Sequence, residues 1–188
     1  MRHREFIMKP PTYLFAAALV SATLALAGPA SAHVTLDLRE ATVGAPVRIA
    51  FRVPHGCAGS PMVALRIRVP DGVIAVKPMP KPGWQVETVK GKYDQAYPYF
   101  HGATLTEGVR EIAWRGGKLP DEYYDEFVIS GFLAGNLEPG KKLYFPAVQE
   151  CETGVARWIE IPAAGKSTDD YKEPAPGLTL LPKAAPRP

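Results

Sequence analysis

The chain is poor in cysteine, poor in histidine and poor in net charge. Two cysteines in 188 residues leave room for a single disulfide at most. The 22 Lys plus Arg nearly balance 19 Asp plus Glu, and no basic block of five or more occurs, which argues against nucleic acid as the main partner. No run reaches the roughly 20 apolar residues that a spanning helix needs. Repeats at a solenoid period are missing. Prolines and glycines, by contrast, are plentiful, at 20 and 17. Such frequent breakers exclude a helical bundle and suit short strands joined by turns. With 46% hydrophobic and 10% aromatic residues, the chain can bury a core, so wholesale disorder is excluded.

Residues 1–32 read as a secretory signal peptide. Arg2, Arg4 and Lys9 supply the positive start, Tyr13 to Ala27 the apolar stretch, and Ala30-Ser31-Ala32 the small-residue cleavage site. Cleavage between Ala32 and His33 would deliver the body to the periplasm or the extracellular space, where disulfides persist. Loss of Arg2, Arg4, Lys9 and Glu5 would leave that body close to neutral.

From His33 to Pro162 short β-prone runs alternate with breakers. Val63-Ala64-Leu65-Arg66-Ile67-Arg68-Val69 is the clearest, with Val63, Leu65, Ile67 and Val69 on one face. Further strands are expected at 47–53, 73–76, 84–89, 109–115, 126–133, 142–148 and 155–161. Pro70-Asp71-Gly72, Gly116-Gly117 and Glu138-Pro139-Gly140 are turn sequences, because proline presets φ and glycine accepts positive φ. Eight or nine such strands predict an all-β, antiparallel β-sandwich over 33–162, with a barrel as the rival. The tyrosine-rich stretch Tyr93 to Gly102 alternates poorly and is expected to be a long loop. Residues 163–188 are expected to form a mostly irregular, proline-rich tail, with Leu178–Leu181 docking on the body.

In an oxidising compartment Cys57 and Cys151 are expected to pair. The alternative is a soft-metal site made by the two cysteines with His55. A chain that begins at His33 would carry a second kind of site. Its α-amine and imidazole can close one chelate ring on a metal, and such nitrogen donors favour Cu(II), at the top of the stability order for divalent ions. A carboxylate would complete the set. Asp37, Asp121, Glu122, Asp125, Glu126 and Glu160 are all candidates on spacing alone.

Several segments, taken in order, resemble the YcnI-like family of secreted bacterial copper-binding domains. They are His33-Val34-Thr35-Leu36, Val53-Pro54-His55-Gly56-Cys57 and Lys81-Pro82-Gly83-Trp84. Then come Glu111-Ile112-Ala113-Trp114, Tyr124-Asp125-Glu126-Phe127, Phe145-Pro146-Ala147-Val148-Gln149-Glu150-Cys151 and Gly154-Val155-Ala156-Arg157-Trp158. The resemblance implies an immunoglobulin-like or cupredoxin-like sandwich. It also implies one Cu(II) per chain in a single-histidine brace: His33 through amine and imidazole, Glu126 through its carboxylate, Trp158 beside the ion. The implied role is non-enzymatic, in copper acquisition or homeostasis. Its partner would be a membrane copper transporter or another copper chaperone. This chain departs from some members in carrying no C-terminal membrane helix.

Two other readings compete. A copper-dependent oxygenase would need a second histidine, His55 or His101, near His33, and a substrate surface such as the tyrosines at 93–99. A metal-free binding module of the cell envelope would need neither, since fold does not fix function. Trp84 and Trp114 are expected in the core.

Overall fold

A computed structural model of the protein describes residues 33–183. The expected signal peptide at 1–32, and its cleavage after Ala32, lie outside the described residues.

The described chain is almost entirely strand. In order, the strands are β1 (Thr35–Leu36), β2 (Glu40–Thr42), β3 (Pro46–Val53), β4 (Met62–Arg68), β5 (Val73–Pro78) and β6 (Gln85–Pro98). They continue with β7 (Thr104–Leu119), β8 (Asp125–Leu133), β9 (Lys142–Tyr144), β10 (Ala147–Cys151), β11 (Val155–Trp158) and β12 (Gly177–Leu181). They form a four-stranded sheet in the order β1-β3-β8-β5, a five-stranded sheet in the order β11-β10-β4-β7-β6, and a small sheet β2-β12-β9. Pairing is antiparallel throughout except between β2 and β12. Among the described residues no helix is long and apolar enough to cross a membrane.

The sandwich follows from alternation. In β3 the buried residues Val47, Ile49, Phe51 and Val53 take one set of alternate positions and Arg48 and Arg52 the other. Phe51, Phe127, Phe145, Leu65, Ile67, Ile112 and Trp114 are fully buried and belong to one continuous core. Burying each of these large side chains is worth about 1.5–3 kcal/mol. Trp114 is in the core as expected, and Trp84 packs against it, edge-on to Phe127 at 5.0 Å. Val63 is only half-buried, although alternation puts it with Leu65. A register shift between Met62 and Ala64 turns it off the core face.

Two expectations need correction. The stretch from Tyr93 is not a loop up to Pro98: it is the second half of β6, paired with β7. Nor are its tyrosines a substrate surface. Tyr93 and Tyr97 are buried, in edge-to-face contact at 5.6 Å, within a second cluster that includes Ile74 and Phe132. Poor alternation misled here because β6 is exposed on both faces over much of its length. The second correction concerns the tail. Leu178–Leu181 docks on the body, but as a full strand, β12, with Leu178 and Leu180 buried in the core between β2 and β9.

Cys57 and Cys151 are joined in a disulfide spanning 94 residues, and the described residues hold no free cysteine. The pairing excludes the soft-metal site of two thiolates and His55 in this state of the protein. The bridge ties the 54–61 turn to the end of β10.

Candidate metal centre

His33 lies two residues ahead of Thr35, the start of β1, the edge strand of the four-stranded sheet. Trp158 ends β11, the edge strand of the five-stranded sheet. The two edges meet there. The imidazole and indole rings stand 5.3 Å apart, tilted by 58°. Trp158 is buried and His33 half-buried, so the indole closes the interior side of the imidazole.

The carboxylate arrives from the same sheet. Thr35 pairs with Arg52, and Arg52 pairs with Glu126, so the three share one rung across β1, β3 and β8. Paired residues face the same way, so Glu126 shares the face of Thr35, which lies two residues after His33. That side is the outer one, because Leu36, Phe51 and Phe127 take the inner one. Arg52 Nε donates to Glu126 Oε1 at 2.9 Å, with Glu126 one-third exposed. The backbone of Glu126 is fixed independently. Its N–H donates to Asp125 Oδ1 at 2.8 Å, and its carbonyl accepts from Lys81 Nζ at 3.2 Å. The same ammonium binds Asp125 Oδ1 at 2.7 Å and stands 4.9 Å over the Phe127 ring. Two of the other carboxylate candidates have separate tasks. Asp37 binds Arg48 and the N–H of Ala50, and Glu160 accepts from the N–H of Glu173.

Gln149 is a residue the sequence reading did not single out. It is the one buried polar side chain among the described residues, 1% exposed. Its Oε1 accepts from the Trp158 indole N–H at 3.2 Å, and its Nε2 donates to the His55 carbonyl at 2.6 Å. An indole nitrogen can only donate, so this orientation of the amide is the one that satisfies both partners. Gln149 therefore fixes which way the Trp158 ring turns, and so what His33 meets. One signal was available: a glutamine at the position in β10 that alternation assigns to the core, two residues from buried Ala147.

The remaining histidines sit in different places. His55 Nδ1 lies 2.6 Å from the Gly56 carbonyl and 3.9 Å from Asp121 Oδ1. It lines a cavity of about 740 Å³ with the disulfide turn, Val155 and Trp158, so Trp158 is common to this cavity and to the contact with His33. His101 sits in the turn between β6 and β7, whose neighbours Tyr99 and Phe100 contact Phe132. Phe132 pairs with Pro46, at the end of β3 opposite Val53. His101 is thus at the far end of the sandwich from His33.

No group of three or more His, Cys, Asp and Glu gathers into a metal cluster among the described residues. The donor set in question could not form one. It contains one imidazole and one carboxylate, and its third donor is a main-chain amine that exists only when the chain begins at His33.

Residues 33–180 match the family described as "Domain of unknown function (DUF1775)". A crystal structure of an uncharacterized protein from Nocardia farcinica, described as revealing an immunoglobulin-like fold, is similar to this chain. The two share 26% identity over 79% of this chain and 98% of that one, with a TM-score of 0.57. A comparison with curated proteins found no match.

Proposed function

The chain belongs to the DUF1775, or YcnI-like, family, and from that premise we propose that it is a secreted, non-catalytic copper carrier. It binds one Cu(II) per chain through the amine and imidazole of His33 and the carboxylate of Glu126, with Trp158 beside the ion. The single observation that carries this reading is the seating of His33. The residue that cleavage would make the first of the chain stands against a buried tryptophan, at the sheet edge whose rung leads to Glu126.

Chemistry supports carrying rather than turnover. One imidazole, one amine and one carboxylate hold Cu(II) while leaving positions open for a receiving protein. Of the two histidines an oxygenase could call on, His101 is at the opposite end of the molecule, and His55 is turned to the Gly56 carbonyl in the cavity on the other side of Trp158. Trp158 on the inner side excludes water from that flank and can offer its π-face to a cation. Arg52 holds Glu126 in the absence of metal and must share or release it when the ion binds. The site of action is the periplasm or the extracellular space, and a membrane copper transporter or a second copper chaperone is the receiving partner.

The test is a competitive Cu(II) titration of protein beginning at His33, beside the same protein with one extra residue in front. Tight one-to-one binding by the first alone is expected. Equal binding by both would place the site elsewhere, and binding by neither would leave a metal-free envelope module.

A further inference from the structure

A groove of about 590 Å³ opens beside His33, within the roughly 300–1,000 Å³ typical of small-molecule sites. Its floor is the outer face of the small sheet. Thr179 in β12 pairs with Lys142 in β9, and because Leu178 and Leu180 point into the core, Thr179 and Lys142 point out. On the other side of β12, the Thr179 N–H donates to the Arg39 carbonyl at 2.9 Å. Gly177 sits opposite Tyr144, and a Cβ there would come within 3.0 Å of the Tyr144 ring, so the glycine keeps the floor open.

The charge of this groove is one-sided. Four charged side chains line it: Asp37, Arg39, Arg52 and Lys142. Asp37 is bound to Arg48, and Arg52 to Glu126. Arg39 and Lys142 have no ion-pair partner among the described residues. Both are exposed: Lys142 pairs with Thr179 from β9, and Arg39 stands just ahead of β2, whose first residue, the exposed Glu40, is the one that pairs with Thr179 from that side. Neighbouring strands lie about 4.8 Å apart, so the backbones of β9 and β2 are about 10 Å apart. Burial pushes the Tyr144 phenol up, so its hydroxyl remains a donor at neutral pH. Two unpaired cations with hydroxyl donors between them repel a bare divalent cation and attract an anion with more than one negative group.

We propose that this groove binds a small polycarboxylate, with its carboxylates against Arg39 and Lys142. On the copper reading above, on which this second step rests, Cu(II) reaches His33 as a polycarboxylate chelate rather than as a bare ion. That the two cations stand on opposite flanks of β12 is what favours a polycarboxylate over a single compact oxyanion.

The test is a calorimetric titration of the metal-free protein with citrate, inorganic phosphate and acetate in turn. Citrate should bind one-to-one, at least about tenfold tighter than either of the others, and should weaken as salt rises. Arg39→Gln with Lys142→Gln, two exposed positions that leave the core intact, should weaken citrate by about tenfold or more. The same variant should keep its Cu(II) affinity in citrate-free buffer within about threefold, since neither residue is a ligand. Citrate binding no better than acetate, or unchanged in the double variant, would overturn the proposal. So would phosphate binding as tightly as citrate. Citrate binding in a protein that takes no Cu(II) would instead sink the copper reading and leave the anion site standing.

Discussion

Three side chains decide what His33 can do. Glu126 is the only one that can bring a negative charge along its rung, and its main chain is fixed by Lys81 and Asp125 whether or not its carboxylate is engaged. Glu126→Gln keeps the shape and removes the charge, so Cu(II) affinity should drop on the order of 10–100-fold in a competitive titration, with the melting temperature little changed. Gln149→Leu tests the support beneath the site. It strands the indole N–H of Trp158 and the carbonyl of His55 in a buried place, at about 1–3 kcal/mol for an unsatisfied buried group. Thermal unfolding should show the loss, and tryptophan emission should broaden as the ring loses its fixed orientation. The sequence made His33 legible because the cleavage motif ends just before it. Glu126 and Trp158 were legible only through the family resemblance, since an isolated glutamate or tryptophan has the same spacing signature as a surface charge or a core residue. Gln149 stayed hidden because its role depends on two partners, one nine residues ahead and one 94 residues back.

At the scale of elements, the disulfide turn and β12 each tie distant parts of the chain together. Cys57 N–H and Ser60 N–H exchange hydrogen bonds with the opposite carbonyls, making a tight turn that the bridge fastens to β10. Gly56 is required there, because a Cβ would run into the Ser60 carbonyl. Replacing both cysteines by serine frees a 94-residue loop, worth up to about 4–5 kcal/mol in the chain-entropy account. The denaturation midpoint should fall accordingly, and Trp158 emission should shift because β10 carries Gln149. For β12, Leu178→Asp puts a charge into a fully buried position between β2 and β9 and should unfold the small sheet, read as faster amide exchange at 40–42 and 142–144. Clean alternation made β4 readable from sequence, and β-prone residues made β3 so. The long half of β6 was not, because pairing rather than burial pattern defines it; for β12 the docking of Leu178–Leu181 was legible but its strand pairing was not, because a parallel partner more than 130 residues away defines it.

For the whole molecule, the sandwich brings its two sheet edges together at His33 and keeps its aromatic second cluster at the other end. That cluster carries a pH signature. Burial, with the Asp94 hydrogen bond beside it, pushes the Tyr97 phenol up to about 12, against an ordinary value of 10.0. Above pH 10 the unfolded chain gives up this proton and the folded one does not, so the unfolded state is favoured progressively as pH rises from 10 to about 12. Stability by denaturant titration should therefore fall across that window, and less steeply in Tyr97→Phe.

The central claim is that the main-chain amine of His33 is itself a copper ligand. Electron paramagnetic resonance of protein beginning at His33, loaded with one equivalent of Cu(II), tests this most directly, because nitrogen couplings count the nitrogen donors. Two nitrogens are predicted, falling to one or to an altered spectrum when a single residue precedes His33 and blocks the amine. An identical spectrum in both proteins would contradict the account.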